Sequence, residues 1–136
     1  MCYHKLLSLL GVAMIGVGAA QYAVAAPSDW YATMDRNITD LNASYRKQGD
    51  KDSTWTRKGD KLILSTRVDD RFGATARADP KRASAIVKKV LMEKVCDPDA
   101  RWIDALGVGF VIAQQLYDNK GLVAEAQVRL DDCPSR

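Results

Sequence analysis

The chain has 136 residues, 47% hydrophobic and 27% charged, with 20 Lys+Arg against 17 Asp+Glu and a formal net charge of +3. That length holds one core rather than two, and the charge balance gives no reason to expect nucleic acid or a polybasic membrane contact. The single histidine is His4.

Residues Met1 to Lys5 are short and basic, Leu6 to Ala20 are apolar, and Tyr22-Ala23-Val24-Ala25-Ala26 carries small residues at cleavage spacing. This is the pattern of a secretory signal peptide. Pro27 would hinder cleavage directly before it, so the cut is placed after Ala25 and the mature domain spans 26–136. The rival reading is an uncleaved anchor, because Leu6 to Ala26 could just cross a bilayer at about 20 residues per span. The glycines of the segment and its Ala23-Val24-Ala25 end favour removal, leaving no stable membrane anchor. Cys2 precedes the apolar run, where an acylated cysteine would follow it, so no lipid anchor is implied. The alanine-rich leader is of bacterial type and points to the periplasm or the exterior.

Cleavage also removes His4, and with it general-base, metal-ligating and pH-switching imidazole chemistry. The mature chain keeps about 111 residues, enough for one small core. It keeps two cysteines, Cys96 and Cys133, and an even pair in an exported chain reads as a disulfide. A closed loop of about 38 residues corresponds to roughly 4 kcal/mol of stabilisation in the chain-entropy model.

From Asp29 to about Lys47, Trp30, Met34, Ile38, Leu41 and Tyr45 recur at three- and four-residue spacing. This predicts an amphipathic helix capped by Ser28, with Tyr31 on its apolar stripe. Thr54 to Arg57 and Lys61 to Val68 then read as a hairpin turning at Lys58-Gly59-Asp60, with Leu62, Leu64, Thr66 and Val68 sharing one face. Asp69-Asp70-Arg71-Phe72-Gly73 reads as a loop.

Asp79-Pro80 predicts the start of a second helix, since proline at the first helical position loses no hydrogen bond. It runs to about Val95 with Ala83, Ile86, Val87, Val90, Leu91 and Val95 on one side, and Asp97-Pro98-Asp99 ends it. Trp102 to Tyr117 is a long apolar run in which Gly107 and Gly109 suggest a bend or bulge. After a turn at 118–121, Leu122, Ala124, Ala126, Val128 and Leu130 alternate with more polar residues, which is a half-buried strand. The expected fold is therefore α+β in the order α-ββ-α-ββ, a four-stranded antiparallel sheet with two helices on one face.

Chemistry is sparse. Without histidine the mature chain lacks a Ser-His or Cys-His pair, and it contains no Ser-x-x-Lys motif. The two cysteines are better used in a bond than as metal ligands, no calcium loop is present, and no cofactor is expected. Gly107-Val108-Gly109 is too short to cradle phosphate. Asn37-Ile38-Thr39 and Asn42-Ala43-Ser44 match the N-glycosylation pattern but fall in the first helix, in a chain whose leader is bacterial in type. Glu93, Glu125 and the doublets Asp69-Asp70 and Asp131-Asp132 are the only material for carboxylate catalysis, and they fall at loops or on wet faces.

The one concentrated charge feature is Lys81, Arg82, Lys88 and Lys89 on the polar side of the second helix. It suits an anionic surface such as lipid head groups, acidic envelope polymer or an acidic protein. The expected function is an exported, non-enzymatic binding or accessory module that engages another protein. Alternatives are a small carboxylate-based hydrolase or lyase and a small-ligand carrier with a pocket between helices and sheet.

Overall fold

The computed structural model describes residues 28–134, so the leader, its cleavage point, Cys2 and His4 lie outside the described residues. The elements are α1 (Asp29–Lys47), β1 (Ser53–Lys58), β2 (Lys61–Arg67), α2 (Asp70–Ala78), α3 (Pro80–Val95), α4 (Trp102–Gly107), β3 (Val111–Asp118) and β4 (Gly121–Val128), followed by a 3-10 turn at Leu130–Asp132. The α+β class stands, but the described residues hold four α-helices where two were expected.

The local chemistry explains each start. Asp79 accepts the Arg82 N–H at 3.2 Å with Pro80 in the first turn, as expected for α3. The extra helix α2 starts at the Asp69-Asp70 doublet, where the sequence pattern predicts a loop. Asp69 is a working N-cap, its carboxylate accepting the Phe72 N–H at 2.7 Å. The apolar run from Trp102 likewise splits, because Gly109, at φ 106°, ends α4 before β3 begins. Ser28 makes no side-chain cap. Its φ −62° and ψ −24° are already helical, whereas a capping hydroxyl needs an extended backbone to reach forward.

The sheet order is β1-β2-β3-β4. Both hairpins are antiparallel as expected, but β2 and β3 run parallel, with Leu62 opposite Ile112 and Leu64 opposite Gln114, so the sheet is mixed. The cause is the β2-to-β3 connection. It carries α2, α3 and α4 across the sheet, and a crossover of that kind returns the chain in the direction it left.

Met34 and Ile38 of α1 and Leu91 and Val95 of α3 pack with Trp55, Leu62, Leu64, Ile112 and Val128. Ala76 of α2 and Val87 of α3 pack with Leu116, Ala124 and Ala126. All the helices therefore cover one face. On the other, Ile63, Val111 and Ala113 are buried in the two central strands, with Ala113 flanked in register by Ile63 and Gln127.

Three apolar expectations are corrected. Tyr117 pairs with Leu122 while Leu116 pairs with Ala124, so Val123 is an extra residue that bulges toward the helices and is buried. Beyond the bulge the alternation flips, leaving Leu122 48% exposed. Leu130 is also exposed because the strand stops at Val128. On α3, Ile86 and Val90 are more than half exposed, since the contact narrows to the stripe of Val87, Leu91 and Val95.

The first helix also closes the edge of the sheet. Asn42 accepts the Trp55 N–H at 2.7 Å and donates to the Trp55 carbonyl at 2.9 Å. Next to it, Arg46 donates to the Ser53 carbonyl at 2.8 Å and the Asp50 carboxylate accepts the Ser53 N–H at 3.0 Å. A bidentate pair, Arg57 with Asp35 at 2.7 and 2.9 Å, clamps the same helix, and the Arg57 guanidinium lies 4.2 Å from the Tyr31 ring centre.

The expected disulfide is present between Cys96, just after α3, and Cys133, with Cα atoms 5.4 Å apart. It ties the end of α3 to the segment that follows β4. Reduction or Cys133→Ser is expected to lower unfolding free energy by about 2–5 kcal/mol, read as a fall in the urea midpoint with and without reductant. An unchanged midpoint would refute a stabilising role for the bond.

Candidate functional site

On α3, Val87, Leu91 and Val95 face the sheet, and the Lys94 ammonium lies 5.9 Å from the Trp55 ring centre, so that side of the helix looks toward β1. At 3.6 residues per turn the opposite flank carries Lys81, Ala85, Lys88, Met92 and Cys96. A groove of about 640 Å³ runs along it. Ala85, Met92 and Pro134 supply its apolar lining, Lys88 and Lys89 supply positive charge near the middle of α3, and Glu93 and Asp97 supply negative charge toward its end.

The four basic residues do not act as one patch. Lys88 and Lys89 line this groove, and Lys81 is exposed in the first turn of the helix. Arg82 instead lines a separate groove of about 370 Å³ between α2 and α3, beside Phe72, Ala83 and Ile86. Lys88 is engaged, donating to the Asp132 carboxylate at 3.1 Å, and the other oxygen of Asp132 accepts the Arg129 N–H at 2.9 Å. These contacts, the backbone one foremost, hold the Asp132 carboxyl below the usual aspartate range. Among the described residues neither Lys81 nor Lys89 has an ion-pair partner.

The other carboxylates are committed to structure or to solvent. Asp69 caps α2, Asp70 accepts from the Asn119 backbone and side chain at 3.2 and 3.0 Å, and Glu125 accepts from Gln127 at 3.4 Å. Glu93 and Asp131 are exposed. No two of these are arranged as acid and base on a shared cavity. A third groove, about 350 Å³, lies between α1 and α4 against Met34, Leu41, Arg101 and Trp102. None of the three grooves has a strand residue in its lining, unlike the helix–sheet pocket expected of a carrier. Among the described residues no cluster of His, Cys, Asp or Glu could hold a metal, and no helix is long and apolar enough to cross a membrane.

Asp118 sits where the sequence predicts an ordinary turn residue, yet its side chain is 1% exposed. Arg77 of α2 binds it through both guanidinium nitrogens at 2.5 and 2.7 Å, and the Lys120 N–H adds a bond at 2.9 Å. The Arg77 bonds foremost, with the Lys120 N–H, lower its pKa from 3.8 to about 2. Gly73 makes the approach of α2 possible, because a Cβ built there would stand 1.9 Å from Asp118 Oδ2. The pair Arg77–Asp118 is a structural joint, holding α2 to the β3–β4 turn.

No protein-family model matches the chain, and no curated protein matches it. Among solved structures it is similar to a Pseudomonas aeruginosa protein described as a "putative secreted protein". The TM-score is 0.61 at 17% identity, over 76% of this chain and 91% of that one. The likeness extends to the fold.

Two outcomes follow from the Asp118 joint. Because its carboxyl titrates lower in the folded protein than in the unfolded chain, its stabilisation is complete above about pH 4 and is lost as pH falls toward 2. Asp118→Asn should flatten the acid limb of the stability curve in that window, and an unaltered limb would deny the joint its role. Gly73→Ala should reduce stability by about 1–3 kcal/mol in denaturant titration, since the new methyl group must displace the buried carboxylate.

Proposed function

We propose that this chain is an exported, non-enzymatic binding module that engages an acidic, partly apolar segment of another protein through the outward flank of α3. The observation that carries the reading is the groove on that flank, where Ala85 and Met92 lie between Lys81 and Lys88 on one side and Lys89 on the other. Apolar lining with the unpaired ammonium of Lys89 at its margin, and that of Lys81 further along the same flank, is complementary to side chains of that mixed chemistry. Export is supported by the leader pattern of residues 1–25, by the fold shared with a protein described as secreted, and by the disulfide. Non-enzymatic action is supported by the carboxylates themselves. Asp69, Asp70, Glu125 and Asp132 are each hydrogen-bonded within the fold, and Glu93 and Asp131 lie exposed to solvent.

The test is a photo-crosslinking residue placed at Ala85 in the exported protein. A discrete protein adduct is expected, and Lys81→Glu with Lys89→Glu should abolish it without changing the melting temperature. Added salt should weaken it too, because exposed charges are screened over about 8 Å at physiological ionic strength. Absence of any adduct, or an adduct indifferent to both changes, would sink the proposal.

A further inference from the structure

The two edges of the sheet are treated differently. On β1, the outward N–H and C=O of Trp55 and of Ser53 are all bound by side chains of Asn42, Arg46 and Asp50, so that only those of Arg57, near the hairpin turn, have no partner among the described residues. The state of β4 follows from the pairing pattern. The Val111 N–H donates to the Asp60 carbonyl and the Tyr117 carbonyl accepts from the Val68 N–H, so the odd-numbered residues of β3 bond to β2. The even-numbered ones, Ile112, Gln114 and Leu116, therefore bond to β4 through their partners Val128, Ala126 and Ala124. That leaves the N–H and C=O of Glu125 and Gln127 pointing away from the sheet. Among the described residues nothing bonds to any of these four groups. No proline guards the strand, and its bulge lies at the far end, beside Leu122.

α3 overhangs this edge. It packs principally on β4, and the two run side by side, since Arg77 just before α3 reaches the start of β4 while Cys96 just after it is bonded beyond β4's end. The flank facing away from β1, with Ala85, Lys88 and Met92, is thus the one above the open edge.

We infer that β4 accepts an extended segment of the partner protein as a fifth strand, bonded to the backbone of Glu125 and Gln127, with alternate side chains turned up toward Ala85, Met92 and the lysines of α3. The inference deepens the proposed function and rests on it for the chemistry of the partner. Strand addition of this kind takes affinity from main-chain bonds and specificity from every second side chain. Acidic and apolar residues on the upper side suit the flank. Glu125 and Gln127, whose side chains lie on the helix-free face, suit a basic or amide group below.

A second copy of this chain is the poorer occupant. Strands across a new ladder stand about 4.8 Å apart, whereas a helix with its side chains is about 10 Å wide. Two α3 helices centred near their own β4 strands would collide, lysine flank against lysine flank. An extended segment with no helix above it meets neither obstacle.

The experiment pans a displayed library of random peptides, matched to the 8 residues of β4, on the oxidised protein. Enriched peptides should alternate acidic or apolar residues with others. By amide exchange, Glu125 and Gln127 should be unprotected in the free protein and protected on binding, whereas Ala124, Ala126 and Val128 are protected throughout. Gln127→Pro removes only an outward N–H, so the fold should persist while affinity falls about tenfold or more. The exchange measurement, made on the unmutated chain, decides the matter even if that variant fails to fold. The inference is overturned by an empty selection, by enriched peptides that leave the amides of Glu125 and Gln127 unprotected, or by binding unchanged in a folded Gln127→Pro protein. It is also overturned if sedimentation shows a dimer that Gln127→Pro dissolves, which would make a second copy the occupant. Peptides that protect only the α3 flank would leave the proposed function standing and remove the strand addition. Peptides that protect the edge but ignore Lys81→Glu with Lys89→Glu would remove the flank instead.

Discussion

Trp55 is the joint on which the helix layer depends. Its ring is 1% exposed and stacks on Trp102 of α4 at 4.5 Å, while its indole N–H donates to the Tyr45 hydroxyl of α1 at 3.2 Å. Its backbone is held by Asn42, and the Lys94 ammonium of α3 lies 5.9 Å from its ring centre. Three helices remote in sequence thus take their positions from one indole on a strand of 6 residues. A large aromatic side chain suits this task because it offers wide apolar contact at the cost of few torsions, together with one directional donor.

The remaining half of the layer is organised by charge. Arg77 and Asp118 hold α2 where Ala76 and Val87 can meet Leu116 and Ala124, so the smaller apolar cluster and the buried ion pair support one another. A buried carboxylate left without its arginine would be strongly destabilising, which makes the arrangement a demand on geometry more than a source of net stability.

What was legible in the chain was local. The Asp79-Pro80 start, the turns at Gly59 and Gly121, the stripe of Met34 and Ile38 and the pairing of Cys96 with Cys133 each depend on neighbours or on a count of residues. What was not legible was non-local. The Asp69-Asp70 doublet serves a loop as well as a cap, and only the burial of Ala76 shows that a helix follows. The parallel pairing of β2 with β3 depends on where three helices cross, for which neither strand carries a signal. Ile86 and Val90 fit the apolar pattern of α3 but fall outside its contact stripe, because the width of that stripe is decided by the sheet beneath. Of the candidate site, the lysines were legible as charge. Their division between two grooves was not, because it depends on α2, and the apolar lining contributed by Pro134 depends on the disulfide.

The sealing of β1 by Asn42 has a consequence for how this molecule behaves in a crowd. A sheet with both edges open can join head to tail, each copy offering its free strand to the next, and such growth has no natural end. Here one terminus of that chain reaction is occupied from within the fold. Contact through β4 consumes one strand, and the far side of the sheet has no free donor at Trp55 or Ser53 to pass on, leaving only the outward groups of Arg57 for a next strand, too few for a ladder. A single asparagine, reaching from a helix to both polar groups of one residue, together with Arg46 and Asp50 beside it, thereby breaks the edge of β1 into a stretch too short to carry a ladder onward.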